Sequence, residues 1–167
     1  MGAEVKLTFH TEKVVRKIED TASKKMAEAV NVVRNTVLET LSGSRSGRTY
    51  RVPGTKRTYT ASSPGKPPAQ ATGRLRQSIK TSVGGEGRTV IGKVGTTLDY
   101  GKYLEFGTRG GAVIRPRTAK VLAFFVDGQD VFATQVIQGP IAPRPWLKPS
   151  FEKAVPKVKN ILGKKWF

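Results

Sequence analysis

Apolar residues recur at steps of three and four along the first quarter of the chain: Val15, Ile18, Ala22, Met26, Val30, Val33, Val37 and Leu41, with charged residues between them. That spacing predicts one amphipathic helix over residues 12–41, a rod of about 45 Å at ~1.5 Å per residue. Thr11 is placed to cap it, Glu12 suits the positive end of the helix dipole, and Ser42-Gly43 supplies the stop. The apolar step averages about 3.7 residues instead of 3.5, the signature of a helix lying on a sheet and not of a coiled coil. Packing into the protein's own core accounts for such a stripe, and a neighbouring subunit can also cover part of it.

The pattern then changes period. Thr49 to Val52 and Thr55 to Thr60 read as two short strands around Pro53-Gly54, a ribbon carrying Arg48, Arg51, Lys56 and Arg57 with Tyr50 and Tyr59 among them. Ser63-Pro64-Gly65-Lys66-Pro67-Pro68 reads as a stiff extended connector, and Thr72 to Ile79 as a short helix capped by Thr72. Ile79–Val83 and Thr89–Gly95 alternate as an antiparallel hairpin joined by Gly84-Gly85-Glu86-Gly87. Asp99 to Phe106 suits one or two helical turns before Gly107. Val121–Val126 and Val131–Ile137 suit a second hairpin turned at Asp127-Gly128. Phe151, Val155, Val158 and Leu162 have helical spacing after Pro149, and Pro156 predicts a kink or restart.

The fold class expected is α+β, with long N-terminal and C-terminal helices packed on an antiparallel β-sheet and a long basic hairpin or loop attached. One domain over 1–167 is expected: the helix at 12–41, a basic ribbon and Pro-rich connector at 43–71, a sheet region at 72–142, and a Pro-rich arm with the terminal helix at 143–167.

Charge adds what periodicity does not show. The chain has a formal net charge of +18, and it is unevenly placed. Residues 1–41 carry seven basic and six acidic side chains, and 86–142 carry seven and five; 42–85 carry nine and none, and 143–167 seven and one. An acid-free basic stretch of this kind suits an anionic partner, nucleic acid first. An isolated two-stranded ribbon is marginal in water, so the ribbon is expected to be ordered by such a partner or by another subunit. The absence of Cys excludes a disulfide framework and any Cys-based zinc or redox site. No apolar run reaches the roughly 18 residues that span a bilayer, and no signal-peptide core opens the chain, so a soluble, intracellular-type protein is expected.

Catalytic chemistry finds little support. His10 is the only histidine and has no nucleophile or ligand cluster beside it. The Gly84–Gly87 run is a hairpin turn and not a phosphate loop. Asp99, Glu105, Asp127 and Asp130 are the acids available to a metal-dependent nuclease, and their spacing fits no such pattern. No cofactor, metal or catalytic residue is expected, and the chain is expected not to be an enzyme. Glu105 lies in the apolar run Tyr103-Leu104-Glu105-Phe106: it either faces water, or is buried against a partner that the excess of Arg would supply. Basic residues interleaved with Tyr grip single strands by stacking or line a path for duplex DNA without reading sequence.

Three segments resemble a known family. They are Ser63 to Pro68 followed by Thr72 to Ile79, Tyr100 to Thr108, and Pro143 to Phe151 before the last helix. In this order they resemble the head–tail joining or tail-completion neck proteins of long-tailed bacteriophages, related to minor tail protein Z. The resemblance implies a structural virion protein that forms a ring, commonly a hexamer, between head connector and tail tube, with genomic DNA passing through. It implies self-association and contact with the connector or adaptor and with tail terminator or tail tube proteins, no membrane, and a place at the head–tail neck after assembly in the host cytoplasm. Pro64, Gly65, Gly73, Leu75, Ser78, Tyr100, Tyr103, Glu105, Phe106, Gly107, Thr108, Arg144, Pro145, Trp146, Leu147 and Pro149 are the motif positions, suited to the fold or to subunit contacts. Arg45, Arg48, Tyr50, Arg51, Lys56, Arg57, Tyr59 and Lys66 are the positions expected to face DNA or an acidic partner. The stretch between Thr108 and Pro143 is longer than in the shortest members, which leaves the strand order open. The competing reading is a stand-alone, sequence-nonspecific nucleic-acid-binding module. A small nuclease is a third.

Overall fold

The computed structural model describes residues 11–51, 56–86, 89–126 and 129–164. Helix α1 runs Thr11–Ser42, α2 Arg74–Gln77, α3 Tyr100–Phe106 and α4 Leu147–Gly163. The strands are β1 (Thr49–Arg51), β2 (Thr58–Thr60), β3 (Ile79–Glu86), β4 (Thr89–Thr96), β5 (Val113–Ile114), β6 (Leu122–Val126), β7 (Gln129–Ala133) and β8 (Val136–Ile137). The class is the expected α+β. Among the described residues, however, the strands form separate antiparallel pairs, β1–β2, β3–β4, β5–β8 and β6–β7, in place of one larger sheet.

The core forms where α1, α4 and the β3–β4 ribbon meet. Val33, Val37 and Leu41 of the predicted stripe are buried with Leu75, Ile79, Trp146 and Ala154. The helix does lie on strands: a Cβ placed on Gly92 of β4 would sit 2.3 Å from Val30 Cγ1 and 2.8 Å from Met26 Sδ, so α1 rests on β4 where a side chain is missing. Antiparallel α4 runs back along α1, with Ser150 Oγ 2.8 Å from Thr40 Oγ1 near one end and Lys25 Nζ donating to the Lys164 carbonyl near the other.

Several expectations change. The β3–β4 pairing extends through Gly84, Gly85 and Glu86, because Gly85 lets the Thr89 carbonyl approach where a Cβ would stand 1.8 Å away. Pro156 neither ends nor restarts α4. The carbonyl its missing N–H leaves open belongs to Glu152, on the exposed side, while Ala154 and Ile161 are buried on the other. Ser63–Pro68 is not an extended connector: Lys66 N donates to Ser63 O at 3.1 Å across Pro64-Gly65, with Gly65 at φ 75°, the residue order of a type II turn. Gly73, at φ 75°, takes the cap position of α2 expected of Thr72, whose Oγ1 lies 3.5 Å from Arg74 N. Val131–Ile137 does not pair as a whole. The β6 partner strand runs out at Leu122↔Ala133, and Val136–Ile137 turns instead to Val113–Ile114. The turn residues Asp127 and Gly128 lie outside the described residues, as do Val52–Thr55 and His10.

Candidate functional site: the motif junction and the basic ribbon

Two assemblies gather the residues singled out in the sequence. The first is a junction built from all three motif segments. α4 begins after Trp146, whose side chain supplies no cap, and the first helical residues are Leu147, Lys148 and Pro149. A helix start leaves backbone N–H groups without intrahelical partners, and nothing local supplies an acceptor. Glu105, from α3, supplies it. Its Oε2 accepts from Trp146 N at 2.7 Å and Leu147 N at 2.9 Å, and its Oε1 accepts from Lys148 N at 2.9 Å. The carboxylate is buried (9% exposed) at the positive end of the α4 dipole. Of the two prospects for Glu105, burial holds; the partner is backbone amide and not arginine.

The rest of the junction locks α3 to the arm that precedes α4. Trp146, 2% exposed, donates Nε1–H to Gly101 O at 3.2 Å. Arg144 N donates to Leu104 O at 2.7 Å and Arg144 Nε to Ser62 O at 3.3 Å. Thr108 and Ile141 exchange backbone bonds of 2.9 and 3.1 Å. Gly65 N donates to Pro143 O at 2.9 Å, which ties the Pro64-Gly65 turn to the same arm. Gly107 has φ 74° and ψ −175°, a region open essentially to glycine, and a Cβ there would stand 2.4 Å from Ile141 O. Leu75 is buried, and Ser78 Oγ lies 2.7 Å from Leu75 O and 2.5 Å from Thr96 Oγ1, so α2 is fastened to β4. Pro145 and Leu147 are half-buried beside Trp146; Pro64 and Pro149 are exposed.

Three aromatic motif residues stay outside this junction. Tyr100, Tyr103 and Phe106 are 40%, 46% and 79% exposed along α3, with Lys102 Nζ 5.1 Å from the Tyr103 ring centroid. An apolar row on an outward helix face suits contact with another protein surface.

The second assembly is the ribbon β1–β2. Its register is Thr49↔Thr60, Tyr50↔Tyr59 and Arg51↔Thr58, and Gly47–Ala61 and Ala61–Arg48 bonds of 3.0 and 2.8 Å extend the ladder toward the body. Tyr50 and Tyr59 stack, with ring centroids 5.9 Å apart and planes at 30°. Thr49 and Thr60 hydroxyls lie 3.4 Å apart. Arg48, Lys56 and Arg57 are exposed around the stack, and Lys66 is exposed on the turn that follows. The Arg51 side chain lies outside what is described, although its backbone pairs within β1.

Arg45 stands apart from the other basic positions. Its guanidinium donates to the carbonyls of Thr40 (2.8 Å), Gly43 (2.6 Å), Ser44 (2.9 Å) and Pro68 (3.0 and 3.2 Å), and burial lowers its pKa from the ordinary arginine value. With Gln70 Nε2 donating to Leu41 O at 2.9 Å, it closes the C-terminus of α1 and anchors the segment that leads to α2. Sequence reasoning missed Arg45 as a cap and Glu105 as a helix-start acceptor. The signal for the second was present: a helix opening on Trp-Leu-Lys-Pro has no Ser, Thr, Asp or Asn to cap it.

Among the described residues no group of three or more His, Asp or Glu converges as metal ligands would, and no helix is long and apolar enough to cross a membrane. No curated protein and no solved structure matches the chain. Residues 6–107 match a family model described as "Bacteriophage HK97-gp10, putative tail-component". The match takes in α1, the basic ribbon, the Pro64-Gly65 turn, α2, the β3–β4 ribbon and α3 as far as Gly107, leaving the Trp146 arm beyond it. Because it spans more than half of the 167 residues, the chain belongs to the HK97-gp10-like family of bacteriophage tail components.

Proposed function

We propose that this tail component forms a ring, of about six copies, that completes the tail and joins it to the head connector, with DNA passing through its lumen. The observation that carries this reading is the division of labour between the two assemblies. The junction buries the Glu105 carboxylate against backbone amides, whereas Arg48, Lys56 and Arg57 of the ribbon lie exposed around a stacked tyrosine pair. A subunit of +18 repeated six times carries on the order of a hundred positive charges, which favours polyanion at its centre. Such a surface holds a phosphate backbone and lets it slide. The exposed Tyr100, Tyr103 and Phe106 row suits contact with the connector or with tail tube or terminator proteins. The protein acts as a structural part of the virion neck, not as an enzyme.

The test is to change Arg48, Arg51, Lys56 and Arg57 together to Ser. Duplex DNA binding of purified protein is expected to fall at least ~10-fold at 50 mM salt, with a shallower salt dependence, since each lost phosphate contact removes ~0.9 from the log–log slope. Phage carrying the variant are expected to lose DNA retention or head–tail joining. Unchanged DNA binding and normal virions would overturn the lumenal role. Negative-stain imaging with and without tail tubes is expected to show rings, and their absence in both would favour the stand-alone binding module.

A further inference from the structure

The apolar stripe of α1 is used unevenly. From Val30 to Leu41 it is buried in the protein's own core, yet every residue from Thr11 to Asp20 is exposed, including Val14 (55%), Val15 (49%) and Ile18 (39%). Among the described residues nothing covers this half of the helix. Its charge also differs from the rest of the molecule. Glu12, Glu19 and Asp20 balance Lys13, Arg16 and Lys17, so the segment is neutral in a chain of +18.

A complementary surface lies elsewhere. Met26, Val30, Gly92, Val94, Leu147 and Phe151 line an apolar groove of about 700 Å³ between α1, β4 and α4, with Lys93 and Lys148 also on its walls. Phe151 is 52% exposed. The groove is apolar and basic at its edge; the exposed half of α1 presents Val14, Val15 and Ile18 with acids beside them. Copies of a strongly cationic chain repel one another, so they meet most favourably where one of the two faces is neutral and carries carboxylates.

We infer that the exposed half of α1 in one copy docks into the α1/β4/α4 groove of the next, Val15 and Ile18 entering the groove and Glu19 or Asp20 meeting Lys93 or Lys148. The two patches are different surfaces of one chain, so the contact is head-to-tail, the kind that forms a ring where its rotation closes. It rests on the proposed self-assembly and names the surfaces that perform it.

The chain has no cysteine, which makes the test direct. Full-length chains carrying Ile18→Cys are mixed with chains carrying Phe151→Cys, assembled and oxidised; a mixed disulfide is expected, in solution or on tails. A disulfide between two Ile18→Cys chains with no mixed product would mean a two-fold α1–α1 contact and overturn the inference. Protection of Ile18→Cys from maleimide in dilute monomer would place the chain's own residues over the stripe and overturn it equally. Val15→Glu with Ile18→Glu is expected to weaken self-association at least ~10-fold while leaving the monomer's melting temperature nearly unchanged, because both positions are exposed. Wild-type rings without the mixed disulfide would overturn the docking and leave the ring standing. A wild type monomeric both in solution and on tails would overturn both.

Discussion

The motif junction and the basic ribbon lie in one small chain, and they use their polar groups in opposite ways. In the junction, Glu105 spends both carboxylate oxygens on three amides, Arg144 reaches Leu104 and Ser62, and Gly65 holds Pro143. In the ribbon, two short strands carry a tyrosine stack and a threonine pair, and Arg48, Lys56 and Arg57 are exposed. Buried polar groups left without partners are costly, so the junction tolerates little change. Exposed charges on a small ribbon cost the fold almost nothing to remove. Arginine thus fastens the arm at Arg144, while at Arg48 and Arg57 it stays exposed.

The sharpest way to break that contrast is at Glu105. Glu105→Ala strands the amides of Trp146, Leu147 and Lys148 at the start of α4 and removes the charge facing the helix dipole. A loss of about 3–5 kcal/mol in unfolding free energy is expected from denaturant titration. Glu105→Gln keeps the volume and one carbonyl acceptor, and about 1–2 kcal/mol is expected. A Gln variant as stable as the wild type would mean that volume, not the carboxylate cap, holds the junction.

Gly107→Ala comes next. The new Cβ meets the Ile141 carbonyl in a backbone region that alanine avoids, so about 2–3 kcal/mol is expected from the same titration. A near-neutral result would show that the Thr108–Ile141 bridge can shift aside.

What could be read from the sequence divides along similar lines. The long helix, the two hairpins that precede and follow α2, and the helical turn before Gly107 rest on contacts between residues near in the chain, and periodicity reveals those. The Glu105 cap joins residues 41 to 43 apart, and the Gly65–Pro143 bond joins segments far apart in the chain. No local pattern encodes either one. Proline stiffens a chain and so predicts a straight Ser63–Pro68, but Pro-Gly in that order also makes a turn, and the Pro143 carbonyl waiting beside it favours the turn. Pro156 stays inside α4 because packing on the buried side outweighs one unmade bond on the wet side. For the site residues, charge alone could not separate Arg45 from Arg48, since the difference lies in where the carbonyls of Thr40 and Pro68 end up.

That pair supplies the finest test of the contrast. Arg45→Ala removes donors from the carbonyls that end α1 and from Pro68, and about 1–2 kcal/mol of stability is expected to go with them. The quadruple Ser change in the ribbon is expected to alter stability by less than about 0.5 kcal/mol, although it removes four cations instead of one. On DNA the order is expected to reverse: the quadruple variant loses affinity, and Arg45→Ala, assayed well below its melting temperature, binds as the wild type does. Denaturant titration and a salt-dependent binding curve on the same two proteins decide the matter. If Arg45→Ala lost affinity without losing stability, Arg45 would belong to the partner surface despite its carbonyl contacts. If the ribbon variant unfolded early, its cations would belong to the fold. Opposite rankings in the two measurements are what separate a charge that holds the subunit together from one that serves a partner.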